Sequence, residues 1–202
     1  MGALPCAVAL VSVWLVPVSP VLASIMRFVP IEELAGESSL VVRARITGQS
    51  VHWTENHEGI YTQIEAVVLG PLKGRPPQQG GADVRRLTII QAGGVIDGVS
   101  LDWNGRPTFR TGEDLILFLQ PYDPDDPADP RLLVVAGKQG RMRVIEDPHG
   151  KAPVMVERDL VGVLEAPFIE GDVPAGPAPR RDLIPLEEVA RRVREADGGS
   201  AR

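Results

Sequence analysis

The side chains able to do chemistry are few and scattered. His52 and His57 flank the polar stretch Thr54-Glu55-Asn56-His57-Glu58-Gly59, and with Glu55 and Glu58 they are the nearest approach to a metal-binding set. Zinc is held by three or four ligands braced by a second layer of hydrogen bonds. Two histidines at a turn tip fall short of that, so no metal is expected there. Asp123, Asp125, Asp126 and Asp129 lie in a segment with proline at 121, 124, 127 and 130. A calcium loop wraps its ligands around one point at a sharp glycine turn. Proline at every third position favours an extended, solvated loop instead. His149 sits in Asp147-Pro148-His149-Gly150, a turn by composition. There is no H-E-x-x-H, no G-x-S-x-G and no glycine spacing that would cradle a phosphate, so no cofactor is expected. The carboxylates are spread along the chain, and no general-acid pair stands out.

The most distinctive stretch runs from Gln91 to Glu113. Glycines at 93, 94, 98, 105 and 112 alternate with Val95, Ile96, Val99, Leu101 and Trp103. Glycine lets a backbone bend sharply or approach another group closely, and an exposed aromatic in such a loop makes a binding anchor. The candidate binding residues are therefore Trp103 as anchor, Val95 and Ile96 beside it, and Arg106 as a rim charge. The alternative is that Trp103 plugs the end of a barrel.

The elements that must position this loop are mostly strands. Leu40 to Ser50 puts Val42, Ala44 and Ile46 on one face and Arg43, Arg45 and Thr47 on the other, the period of a half-buried strand. Tyr61 to Leu69 alternates likewise, with Ile64, Ala66 and Val68 inward, so the two form a hairpin whose tip carries the histidines. Arg43 and Arg45 are expected to face Glu65 or Gln63 across it. Gly70 to Asp83 reads as a loop, and Leu87 to Gln91 as a third strand. Leu115 to Leu119 is apolar throughout and predicts a central strand covered on both faces. Leu132 to Ala136 and Met142 to Ile145 suggest a second hairpin around Gly137-Lys138-Gln139-Gly140, and Val154 to Val156 an edge strand. Pro30 to Ala35 opens a short helix. Pro185 to Ala196 predicts an amphipathic one, with Leu186, Val189, Ala190 and Val193 at i, i+3, i+4, i+7 spacing.

The first 23 residues read as a cleaved secretory leader. An apolar run from Ala7 to Val16 is broken by Pro17 and Pro20, and Val21-Leu22-Ala23 offers small residues for cleavage before Ser24. No Lys or Arg precedes Arg27, so the α-amino group alone would supply the usual leading charge. An apolar core of ten residues, interrupted only by Ser12, is too short to span a bilayer, which takes about 20. Cleavage would remove the single cysteine, Cys6, leaving an exported domain held by its core rather than by disulfides. The expected organisation is a leader over 1–23, a β-barrel domain over 24–165, a Gly- and Pro-rich linker over 166–182, and a C-terminal helix and tail over 183–202. A net charge of −6 argues against nucleic acid, which calls for a basic footprint.

Several features recur together: the Pro-Ile-Glu-Glu-Leu opening, the strand Ser39-Leu40-Val41-Val42-Arg43-Ala44, the ending Val68-Leu69-Gly70-Pro71-Leu72-Lys73-Gly74, Gly93-Gly94, Pro107-Thr108-Phe109, Gly112-Glu113-Asp114 leading an apolar strand, and Gln139-Gly140. Over residues 28–146 this resembles a group of uncharacterised secreted bacterial proteins. It also resembles, more distantly, the netrin-like domain of tissue inhibitors of metalloproteinases. That resemblance implies a small OB-like antiparallel β-barrel. Those inhibitors hold zinc through an N-terminal cysteine pinned by disulfides, and Ser24 departs from that pattern. The expected protein is mainly β with one helix at each end, secreted or periplasmic. Its expected role is a non-catalytic module binding a protein, peptide or glycan, with no membrane contact once the leader is gone. The alternatives are a hydrolase whose site is assembled only in the fold, and a protease-inhibitor-like companion.

Overall fold

The computed structural model describes residues 26–77, 85–161, 163–164 and 181–199. The expected leader over 1–23 and most of the expected linker lie outside them. Strand β1 (Met26–Arg27) is followed by helix α1 (Ile31–Glu37), then the long strands β2 (Leu40–Trp53) and β3 (Ile60–Lys73). Next come β4 (Arg86–Ala92), the short strands β5 (Gly94–Ile96) and β6 (Val99–Leu101), β7 (Asp114–Pro121) and β8 (Arg131–Val134). A 3₁₀ turn (Gly137–Gly140) leads into β9 (Arg141–Ile145), β10 (Met155–Asp159), β11 (Val163–Leu164), β12 (Arg181–Pro185) and helix α2 (Leu186–Gly199). The mainly β class and the helix near each end of the described chain are as the sequence predicts.

Five strands close into a ring. β2 pairs with β3, β3 with β4, β4 with β8, β8 with β7, and β7 again with β2. Four of these pairings are antiparallel and β4–β8 is parallel. An odd number of strands cannot alternate direction all the way round a ring, so at least one parallel pair is required, and the barrel-like ring is otherwise antiparallel. Register shifts at Val41/Val42, Arg43/Ala44 and Ile46/Gly48 bend the β2–β3 ribbon, as bulges do where a sheet must curl.

The ring has an apolar interior, and a second core lies outside it. Leu40, Val42, Ala44 and Ile46 of β2 meet Ile64, Leu87, Ile89, Leu115 and Leu117 inside. On the outer face Val41, Ile116 and Phe118 pack with Ile31 and Leu34 of α1, Met142 and Val156 of the sheet extension, and Val189 and Val193 of α2. β2 and β7 are thus apolar on both faces because both faces are covered. α2 docks by the stripe its spacing marks. At the C-terminal end of α1, Ser38 Oγ donates to Leu34 O at 2.6 Å and Lys73 Nζ to Ala35 O at 2.7 Å, a cation where the helix dipole favours one.

Several local expectations are corrected. The segments at 132–136 and 142–145 do not pair with each other. Both lie along one edge of β7: β8 opposite Leu119–Pro121, β9 opposite Leu115–Leu117. Ala136 and Gly137, at φ +51° and +57°, turn the chain from the ring to its extension. The expected edge strand at 154–156 is internal, because β12 pairs beyond it. That strand uses Arg181 and Asp182, which composition assigned to the linker. β3 runs on through Pro71 into the expected loop. Arg43 and Arg45 face β7 rather than Glu65 or Gln63. The bulges set Arg43 opposite Gly70 and Arg45 opposite Val67, while Asp114 of β7 takes both guanidiniums, that of Arg43 at 2.7 and 3.0 Å.

Candidate functional site

The stretch from Gly93 to Arg106 is pinned onto the first hairpin. Gly93 N–H donates to Ile60 O at 2.7 Å, and Thr62 Oγ1 donates to Gly93 O at 2.7 Å. Gly94 sits at φ +148°, and a Cβ there would stand 2.6 Å from Val51 Cγ1 and 2.9 Å from Thr62 Oγ1. Only glycine allows β5 to lie this close across β2 and β3. The chain then reverses through Asp97 and Gly98, both at positive φ, and returns as β6. An Asp-Gly between short apolar runs is a strong hairpin signal. It was legible in the sequence, yet the segment reads there as an open loop. Trp53 Nε1 donates to Asp97 Oδ2 at 3.0 Å, which fastens the 54–59 tip beside this small hairpin.

The hairpin is pinned but poorly covered. Val95 is 62% exposed, Val99 47%, Leu101 44% and Trp103 44%, while Ile96 is half-buried. Trp103 Nε1 donates to Ala92 O at 3.2 Å and its ring edge lies by Gly137. The indole is therefore positioned with one side open, and it does not plug the barrel. Phe109, 6% exposed, is the aromatic of this loop that enters the ring interior. Arg106 is not the rim charge the sequence suggests. Its side chain is largely covered, and its Nε is held by Asp102 at 2.8 Å.

Two hollows lie beside this stretch, and Arg106 and Thr108 line both. One, of about 400 Å³, opens at the end of the ring between Gln49, Ser50, Thr62, Gln91 and Phe109. The other, of about 450 Å³, lies between Trp103, Lys138, Arg141 and Asp159. Gln91 follows Leu87 and Ile89 on the inward face of β4 and is 6% exposed; its Oε1 has no hydrogen-bond partner. Sequence reasoning read Gln91 as the end of a strand and the start of the glycine-rich stretch, without giving its side chain a role. The available signal was a polar side chain at the third inward position of an alternating strand. Of the neighbouring carboxylates, Asp102 is paired with Arg106, Glu113 with Arg141 at 2.6 Å and Glu157 with Arg143 at 2.6 Å, while Asp159 Oδ1 accepts the Val161 N–H at 3.1 Å.

Neither a family model nor a curated protein matches the chain.

The remaining candidates are occupied locally. His52 Nε2 is 2.7 Å from Ser50 Oγ and its ring stacks on Tyr61, whereas His57 stacks on Trp53. Among the described residues no three His, Cys, Asp or Glu stand close enough to share a metal ion. The acidic loop folds its carboxylates onto its own backbone: Asp123, Asp126 and Asp129 each accept an N–H two residues on. Arg131 also grips Asp129 through its guanidinium and holds that carboxyl below its ordinary range. Asp147 is held low by the N–H groups of His149, Lys151 and Ala152, which makes the expected turn. No described helix is long and apolar enough to cross a membrane.

Proposed function

We propose that this protein is an exported, non-catalytic binding module. Its barrel is of the OB type, and it meets its partner through the β5–β6 hairpin and Trp103. The observation that carries the reading is the exposure of Val95, Val99, Leu101 and Trp103 within one short stretch that is tied down by hydrogen bonds. Large apolar side chains held rigidly in water, rimmed by polar groups, are how a binding patch differs from ordinary surface. The ring order β2-β3-β4-β8-β7, with its single parallel pair, supports the OB reading. In such barrels the loop between the first two strands borders the binding face, and here that loop is tied to the hairpin through Trp53 and Asp97.

Export rests on the uncharged apolar start and the Val21-Leu22-Ala23 site. Sequencing the N-terminus of protein recovered outside the cytoplasm should read from Ser24 or a close neighbour. An intact Met1 on the exported form would overturn export by cleavage. The contact surface is tested by capturing partners from the envelope or culture fluid with the parent chain and with Trp103→Ala. The variant should stay folded and lose what the parent captures. Equal capture by both would remove the case for this surface.

A further inference from the structure

We infer that the hollow at the end of the ring, lined in part by Gln91, is a subsite for a neutral saccharide. The inference rests on reading this end of the barrel as the contact surface and adds the ligand's chemistry. Four observations converge on it. First, the Gln91 side chain is nine-tenths buried and lines the hollow, yet its Oε1 finds no partner in the protein. A buried, unsatisfied acceptor is costly to keep, and the hollow, at about 400 Å³, is many times larger than the room one water needs. It falls in the size range of small-ligand sites. Second, the polar groups round the hollow are amides and hydroxyls: Gln49, Ser50, Thr62 and Thr108 with Gln91. The one cation, Arg106, is already engaged by Asp102. Such a lining suits a ligand that is hydroxylated and uncharged.

Third, the terminal amide of Gln is a broad, roughly two-fold rotor. Turned one way it offers the hollow a donor, turned the other an acceptor. A hydroxyl is both donor and acceptor and can satisfy either. A peptide N–H can only donate, and a carboxylate can only accept. Fourth, the second hollow shares Arg106 and Thr108 with this one in its lining and is bounded by the half-exposed indole of Trp103. A sugar ring has an apolar face of C–H groups that stacks on such a surface. Two hollows sharing lining residues suit a chain of linked sugars, with one unit at Gln91 and the next toward Trp103.

The test uses the mature chain and three neutral probes: cellotetraose, chitotetraose and maltotetraose. Binding is followed by tryptophan fluorescence and by calorimetry. At least one should bind with Kd of about 1 mM or tighter and change the tryptophan emission. Gln91→Leu should weaken that binding about tenfold or more with the melting temperature unchanged or raised, since it removes an amide that has no partner in the free protein. Thr108→Val, at an exposed rim position, should weaken binding without touching the ring interior. Binding that survives both substitutions overturns the site. A Gln91→Leu variant that melts well below the parent makes Gln91 a structural residue and overturns it too. If none of the three sugars binds while the parent still captures a protein through Trp103, the contact surface stands and the saccharide inference falls.

Discussion

Two aromatic residues six positions apart, Trp103 and Phe109, have opposite fates. Phe109 ends the stretch buried in the ring interior, with the Arg141 guanidinium 5.9 Å from its ring centroid. Trp103 is fixed by its indole N–H but lies half in water. Truncating a buried Phe leaves a cavity and costs about 3–5 kcal/mol, so Phe109→Ala should lower the urea midpoint strongly. Trp103→Ala removes a side chain from a half-open surface and should stay within about 1 kcal/mol of the parent. Urea titration of both variants separates the roles, and a Trp103→Ala protein as unstable as Phe109→Ala would show that the indole is core. Asp114 illustrates a second kind of residue. It is a mostly covered carboxylate joining Arg43 and Arg45 of β2 to β7. Asp114→Ala leaves two guanidiniums without that partner and should cost about 1–3 kcal/mol.

Among the elements, α2 is the one whose docking has a clear stability signature. Val189 and Val193 are fully buried against α1 and the sheet extension. Val189→Asp would bury an unpaired carboxylate at a cost of several kcal/mol. The variant should either melt far below the parent or lose the helix from the sheet, visible as protease cleavage near residue 181. On the exposed side of the same helix, Glu188 bonds Arg191 at 2.7 and 2.9 Å and Arg192 at 2.8 Å. Arg191 first, then Arg192, pull its carboxyl down from 4.5 to about 2. A depressed acid stabilises the folded form at pH values above 4.5, and the contribution is lost as pH falls toward 2. Glu188→Gln should therefore destabilise the protein slightly at neutral pH, and the difference from the parent should shrink on acidification through that window. Because the pair is solvent-exposed, added salt should shrink it as well. A difference that is constant with pH would show that the carboxylate charge contributes nothing. Arg192 also lies 3.6 Å from Glu32 of α1, so the two helices meet through charge above their shared apolar contact.

Over the whole molecule, the ring and its outer layer depend on each other. β2 and β7 have an apolar side chain on each face, so neither face can be left to water. The residues from 181 onward close one side twice: β12 covers the edge of β10, and α2 covers the outer core. Each buried aliphatic side chain contributes about 1.5–3 kcal/mol, against a total stability of about 5–15 kcal/mol for a domain. A chain ending at residue 180 should lose its cooperative thermal transition and expose surface that binds an apolar dye. If the shortened chain melts sharply at the parent temperature, the ring stands alone and the outer layer is dispensable.

What the sequence determined by itself was the identity of most elements and the face each buries. Alternation marked Val42, Ala44, Ile46, Ile64 and Ala66 for the interior. The unbroken run 115–119 marked a strand covered on both sides, and helical spacing marked Val189 and Val193 for docking. These signals are local, because a side chain's direction follows from the period of its own backbone. Which strands would become neighbours was decided only in three dimensions. That β8 and β9 share one edge of β7, that Arg43 and Arg45 turn to Asp114, and that residues 181–185 add a strand all depend on partners far along the chain. Alternation names a face and not a neighbour, and each bulge changes the register that would name one. The candidate site divides along the same line. Composition marked the Gln91–Glu113 stretch, but Thr62 joined it, Phe109 left it for the interior, and Arg106 became covered, because a concave surface is made by elements meeting and no single one of them contains it.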